Sequence, residues 1–264
     1  ALLNVTPDHY DRHGGPVPYL AAKLAMFRNM PDAGAMVFRH DLAARPEIQG
    51  LLGERTGTPL LFSAEPTTGC ALFGQNGALW ERQADGTARH LLDVDELALV
   101  GEHNVENALA ALALVRLAGH CPARAAGALR EFRPSAHRLE LVAEIDGVRF
   151  VNDSKATNVD AMCRALETVT GTRQEPRVLL IAGGVDKDID FSMALPKLEK
   201  HVRQAFLIGT CKGRLVKEWH GMVSCCEFLT LADAVSAAAS LAVPGDIVLL
   251  SPGCASQDMF RNYA

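Results

Sequence analysis

The spacing of apolar positions changes character several times along the chain. Residues 1–5 (ALLNV) form a short apolar run that predicts a buried strand opening into the polar stretch TPDHYDRH. Over residues 16–29, Leu20, Leu24 and Phe27 fall on one helical face behind Pro16 and Pro18, which predicts a helix. From about residue 35 to 98, short apolar runs (AMVF, PLLFS, CALF, GALWE, ARHLLD) are separated by Gly, Asn, Asp and Pro, the pattern of short strands. NVENALAALALVRLAG, residues 104–119, predicts a long helix closed by Gly119, and a shorter helix follows from Pro122.

After FRPSAHR the pattern changes again. LELVAEI and VRFV predict a hairpin across Asp146-Gly147, and helices then alternate with the apolar runs RVLLIAGG, QAFLIG and DIVLLSPG. That alternation predicts a doubly wound parallel sheet. The fold class expected is therefore α/β, with a domain boundary near residues 134–138 that separates 1–135 from 136–264. No internal repeat or low-complexity segment is visible.

The stretch VNDSKATNVDA, residues 151–161, sits between an apolar strand and a helix whose face carries Val159, Met162, Leu166 and Val169. Its polar groups fit a solvated loop with Thr157 or Asn158 as a helix N-cap. They also fit a ligand site at the carboxyl end of a parallel strand. Two other strand ends in the same half are polar, GGVDKDIDF (183–191) and SPGCASQDMF (251–260), and parallel strands would bring all three to one rim. Gly183 and Gly184 would let backbone approach a ligand, and Lys155 and Lys187 suit carboxylate or phosphate, although each lysine taken singly reads more readily as an ordinary surface residue.

In the first half, Asp8, His9, Asp11, Arg12 and His13 could hold a metal or form a polar turn. Asn104 and Asn107 are three apart and share a helical face.

Composition narrows the function classes. The 264 residues are 48% hydrophobic with a net charge of -5, so a sizeable core is expected. No basic field exists to hold nucleic acid or a membrane surface. Any anionic ligand must then be held by a few placed residues. The seven cysteines include no CxxC pair, which argues against a disulfide framework or a zinc site and fits a reducing, cytoplasmic setting. No apolar stretch reaches the roughly 20 residues that span a bilayer, and no signal peptide is evident.

The ordered set LLNVTPDHYDRH, YLAAKLAMF, GEHNVENALAALAL, HRLELV, GVRFVNDSKATN, GGVDKDIDF and LLSPGCASQDMFRNY resembles the Mur ligase family over nearly the whole chain. NDSKAT together with the CAS-containing terminus resembles the D-glutamate-adding members in particular. The resemblance implies the remainder of a central ATPase-type α/β domain followed by a Rossmann-like C-terminal domain that binds D-glutamate. It also implies an ATP- and Mg²⁺-dependent, amide-forming enzyme acting on UDP-N-acetylmuramoyl-L-alanine and D-glutamate in peptidoglycan precursor synthesis.

By the same resemblance, His9 is a Mg²⁺-binding histidine, and Lys23 is a lysine that is carbamylated in the family and helps to organise a second Mg²⁺. Asn104 and Asn107 face the adenine, Arg138 the nucleotide phosphates, and Asp153 the nucleotide. Lys155, Thr157, Lys187 and Ser256 lie on the D-glutamate side. Gln257 stands where an apolar residue is usual beside the glutamate site, and Tyr263 where Phe is usual.

The family's P-loop and its UDP-holding N-terminal domain have no counterpart in these residues, and the chain opens without Met. The expectation is an amino-terminally truncated chain that does not catalyse the full reaction alone. Two alternatives stay open: another Mur or folylpolyglutamate-type amino-acid ligase, and a P-loop-less, non-catalytic nucleotide-binding paralogue.

Overall fold

The computed structural model describes all residues except 7–9, 99–100, 172–174, 186–189 and 260–264, together with the side chain at position 11. It divides into two compact units, residues 1–6 with 12–133, and residues 7–11 with 134–264.

The first unit is built on strands β1 (Val37–Arg39), β2 (Leu60–Ser63), β3 (Leu72–Gln75), β4 (Ala78–Arg82) and β5 (Ala88–Asp93), in that spatial order. β1, β2 and β3 are parallel, whereas β3–β4 and β4–β5 are antiparallel. The short α1 (Tyr10–His13) straddles the division in the chain, and the helices of the first unit are α2 (Pro16–Leu24), α3 (His40–Ala43), α4 (Pro46–Gly53), α5 (Glu102–Leu117) and α6 (Pro122–Glu131).

Period-2 alternation explains the layering. Val37 and Phe62 point to the side where Leu109, Leu112 and Ala113 of α5 pack, while Met36 and Phe38 point to the opposite side, against Leu2, Phe27, Leu42 and Ile48. The five short strands, the long α5 and the shorter α6 thus fall where the apolar pattern predicts.

Three local expectations need correction. Residues 1–5 do not form a strand: only Leu2 pairs, with its N–H on Val37 O at 2.9 Å and its carbonyl accepting from Arg39 N at 3.3 Å. An apolar run supplies burial, but a strand needs a ladder, and a single bridge is all that three-residue β1 offers here. The α-helix expected over 16–29 ends at Leu24 and tightens into a 3₁₀ turn, Ala25–Phe27, that turns Phe27 into the core. Between β1 and β2, α3 and α4 replace unbroken strand-and-turn pattern, with Pro46 at the first turn of α4 and Ile48 buried.

The second unit holds β6 (Glu140–Ile145), β7 (Val148–Asn152), β8 (Val178–Gly183), β9 (Val202–Ile208), β10 (Cys225–Glu227) and β11 (Ile247–Leu250), ordered β10-β9-β8-β11-β7-β6. All neighbours are parallel except β6–β7. Those two join through Asp146 (φ 50) and Gly147 (φ 76), a left-handed pair that fits the twist of a two-residue hairpin.

Helices α7 (Val159–Thr170), α8 (Leu195–His201) and α9 (Lys212–Glu218) cover one face, contributing Met162, Leu166, Leu198 and Leu215 to its core. α10 (Leu231–Leu241) covers the other through Ala234 and Ala238. The reason is connectional. From β7 to β10 the chain steps steadily one way across the sheet, and from β10 to β11 it steps back. Right-handed crossovers then require α10 to lie on the opposite face. The return places β11 between β8 and β7, so this is the doubly wound arrangement the sequence predicts. Among the described residues no helix is long and apolar enough to cross a membrane.

Candidate functional site

Because β8, β11 and β7 are adjacent and parallel, their three polar ends meet on one rim of the second unit. The bonds between those ends are specific. After β7, Asp153 N–H donates to Leu250 O (2.8 Å), and Gly253 N–H donates to Ala156 O (2.8 Å). After β8, Gly183 N–H donates to Pro252 O (2.8 Å) and Val185 N–H to Ala255 O (2.7 Å). The segment 251–259 therefore crosses over the end of β8.

Glycine makes that crossing possible. Gly184 lies at φ 149, and a Cβ there would sit inside the van der Waals envelope of the Ala255 carbonyl and 3.1 Å from Cys254 Cβ. Beneath the crossing, the buried Sγ atoms of Cys211 and Cys254 lie 3.5 Å apart as free thiols.

The turn after β7 is organised by its own side chains. Asn152 Oδ1 accepts from Ser154 N–H (3.0 Å), and its Nδ2 donates to Nδ1 of His137 (2.9 Å). Asn158, rather than Thr157, is the N-cap of α7, accepting from Ala161 N–H at 2.8 Å. Lys155 is exposed, and its N–H donates to His137 O (3.2 Å). Arg138, also exposed, is carried on the same turn between His137 (φ 67) and Leu139 (φ 47). Thr157, two residues after Lys155, is half-buried. Ser256 is half-buried and Gln257 exposed on the crossing segment.

Asp153 is set deeper than a ligand-facing group needs to be. It is 7% exposed, and both carboxylate oxygens are engaged: Oδ1 by Leu139 N–H (3.2 Å) and Oδ2 by the Ser251 hydroxyl (3.1 Å). Burial pushes its carboxyl up to about 6, against the opposing pull of the Leu139 N–H, the Ser251 hydroxyl and the Arg138 charge.

A carboxyl raised on folding favours the native state below its unfolded pKa of about 4, and that contribution is lost as pH rises through 6. At pH 7.5 the ionised Asp153 is thus a cost on the order of 2 kcal/mol. Asp153→Asn is expected to raise the thermal midpoint at pH 7.5 and to lose that gain by pH 4. Melting curves across this range check it, and equal midpoints at pH 7.5 would count against the buried charge.

In the first unit, Lys23 projects from α2, half-buried, with Nζ donating to Asn4 O (3.1 Å) and Asn4 Oδ1 (3.4 Å) and lying 5.0 Å from the Tyr19 ring centroid. An ammonium already donating to two oxygens offers no lone pair to a metal. Among the described residues no cluster of three or more His, Cys, Asp or Glu could hold one. His9 lies outside the described residues, as do Lys187 and Tyr263. Asn104 and Asn107 both fall inside the first two turns of α5, linked by a 3.3 Å bond from Nδ2 of Asn107 to Oδ1 of Asn104. One turn away, Arg39 bridges Asp41 (2.6 Å) and Glu106 of α5 (3.1 Å), and its hydrogen bond holds the Asp41 carboxyl below the usual carboxylate range.

Within the second unit the structure therefore unites Arg138, Asp153, Lys155, Thr157 and Ser256 on one rim. It adds His137, Asn152 and Ser251, to which sequence reasoning gave no role, and makes Asn158 the N-cap. Ser251 had a signal, since it directly follows the apolar run DIVLL, where a strand end becomes a rim. His137 had none, as its role depends on a left-handed turn.

The exposed cations and backbone donors on this rim suit carboxylate and phosphate groups. Two α/β units, one of them doubly wound with exposed Arg138 and Lys155 at its strand ends, place the protein in the α/β class. The profile of the Mur ligase middle domain matches residues 1–115, and that of the Mur ligase, glutamate ligase domain matches residues 137–254. The chain belongs to the Mur ligase family.

It is 39% identical over 263 residues to the UDP-N-acetylmuramoylalanine--D-glutamate ligase of Acidobacterium capsulatum, covering 99% of this chain and 55% of that relative. It is 40% identical over 292 residues to the ligase of the same name from Cupriavidus pinatubonensis, with 99% and 56% covered. The chain thus spans about half the length of the curated relatives it matches. Its fold is similar to that of MurF from Acinetobacter baumannii (TM-score 0.72, 18% identity, 95% of this chain and 56% of that one). A further similar fold is MurF ligase from Thermotoga maritima in complex with ADP (TM-score 0.61, 16% identity, 94% and 56%).

Proposed function

We propose that this chain supplies part of an ATP-dependent ligase that joins D-glutamate to UDP-N-acetylmuramoyl-L-alanine, a cytoplasmic step of peptidoglycan precursor synthesis. In this reading residues 1–135 are the later part of the ATP-binding middle domain and 136–264 the D-glutamate domain. The observation that carries it is the convergence of NDSKAT, of Gly183–Val185 and of SPGCAS on one rim, in a chain whose relatives bear that ligase name along 99% of its length.

The chemistry sets what the residues must do. Transfer of the terminal phosphoryl group of ATP to the substrate carboxylate gives an acyl phosphate and ADP. The D-glutamate amine then attacks the acyl carbon, a C–N bond forms, and phosphate leaves with the C–O electron pair. Crowded anions must be held together, and the amine must be aligned by its own carboxylates.

Arg138 suits the nucleotide phosphates, and Asn104 and Asn107 offer amides to the adenine. Lys155, Thr157, Lys187 and Ser256 suit the D-glutamate carboxylates, with Gln257 and Tyr263 alongside. Asp153 acts at the nucleotide side through the turn it anchors. Mg²⁺ would neutralise phosphate charge when bound. His9 is a fitting ligand type, but Lys23, with its ammonium donating to Asn4, does not fit a metal unless carbamylated and turned away.

The test is D-glutamate-dependent phosphate release by the full-length ligase. Lys187→Ala is expected to raise the KM for D-glutamate by roughly tenfold or more, the loss of one charge-assisted contact worth roughly 1.5–3 kcal/mol, with the KM for ATP little changed. Turnover with another amino acid but not with D-glutamate would overturn the assignment, and an unchanged KM would remove Lys187 from the site.

A further inference from the structure

We infer that Ser251 is a positioning residue of this rim: through the Asp153 carboxylate it fixes the His137–Leu139 turn that presents Arg138. The inference rests on the ligase reading only for what Arg138 contacts.

Ser251 is fully buried at the end of β11, and its Oγ donates to Asp153 Oδ2 (3.1 Å). The other oxygen of the same carboxylate accepts the N–H of Leu139 (3.2 Å), and the Lys155 N–H closes the far side of the turn on His137 O (3.2 Å). The turn needs such anchoring. His137 and Leu139 both hold positive φ (67 and 47), and a leucine side chain has no means of stabilising that conformation locally.

The anchor must be ionised to accept both bonds at full strength, yet it is buried. Among the described residues the charged group acting on it is Arg138, with Lys155 two positions along the chain and His137 on the turn itself. The Ser251 hydroxyl is therefore a neutral donor that helps to keep the carboxylate charged. Removing it leaves Oδ2 buried without a donor. The carboxyl must then either take up a proton, which weakens it as an acceptor for Leu139 N–H, or rotate away from Leu139, and each response loosens the turn that carries Arg138.

The experiment uses the 264-residue chain with ¹³C-labelled aspartate and amide exchange read by NMR. Ser251→Ala is expected to move the Asp153 titration upward by about one pH unit and to speed exchange of the Leu139 amide at least tenfold. Ser251→Thr, which keeps the hydroxyl, should restore both, and Ser251→Cys, a weaker donor of similar size, serves if the alanine variant does not fold. An unchanged titration with unchanged Leu139 exchange overturns the inference.

In the full-length ligase, the acid limb of kcat/KM for ATP should shift upward by the same interval. A shifted titration with an unmoved pH profile would make Ser251 merely structural. A protein without D-glutamate-dependent turnover would defeat the ligase reading while the NMR result stood.

Discussion

Asp246→Ala is expected to cost the second unit about 3 kcal/mol and to lower its thermal midpoint by about 10 °C. The residue is fully buried just before β11, yet it is surrounded by charge. Arg203 of β9 pairs with Oδ2 and also donates to Leu241 O (2.7 Å), Val243 N–H donates to Oδ2 (3.0 Å), and Arg177 Nη1 faces Oδ1 at 3.6 Å. The Asp246 carbonyl accepts from Arg149 N–H of β7 (3.1 Å). The carboxylate thus ties together the amino ends of β8, β9 and β11, and the backbone carbonyl adds β7.

Removing one partner of a buried pair leaves the other charges uncompensated, which usually costs 3–5 kcal/mol. The two arginine side chains are about a third exposed and can partly rehydrate, which favours the lower end. Asp246→Asn keeps an acceptor for Val243 and should lose about half as much. Urea denaturation of the three proteins checks the ranking, and a loss under about 1 kcal/mol for the alanine variant would mean the arginines rehydrate completely.

At the opposite end of the same sheet, Gly184→Ala is expected to act on the site more than on the core. Its φ of 149 is open to glycine and strained for other residues, and an added Cβ meets the Ala255 carbonyl, a backbone atom that cannot rotate aside. The crossing segment must lift, breaking the Val185–Ala255 bond and carrying Ser256 and Gln257 with it.

On the proposed ligase reading, the full-length protein carrying this substitution should show a KM for D-glutamate raised at least tenfold, while the KM for ATP changes little. The stability loss should be about 2 kcal/mol. Steady-state kinetics varying each substrate separates the two effects. An equal rise in both KM values would show that the rim moves as one body.

Much of this was legible in the chain. The alternation of helices with RVLLIAGG, QAFLIG and DIVLLSPG predicts a doubly wound sheet because buried parallel strands read as continuous apolar runs. Asp146-Gly147 predicts its hairpin because only a left-handed pair matches the strand twist. The convergence of three polar strand ends was legible too, since parallel strands must deliver their carboxyl ends to one side. α3 and α4 were not legible, because the segment between β1 and β2 carries short helices with little apolar periodicity. The brief pairing of Leu2 was not legible either, because strand formation depends on a partner's length rather than on the run itself.

Local pattern, then, specifies which segments are strands and helices and which faces are apolar, because period and turn chemistry act within a few residues. The tertiary structure alone decides what distant residues become to one another. His201, an unremarkable position at the end of LEKH, is buried with Nδ1 on the Thr170 hydroxyl (2.9 Å), and burial lowers its pKa. Asp153 reads in the chain as one of several polar groups at a strand end, and only the fold shows its carboxylate shared by Leu139 and by Ser251, 98 residues away. Charge and hydrogen-bonding capacity are written in the sequence. Desolvation, and the partner that meets each group, exist only once the strands are laid side by side.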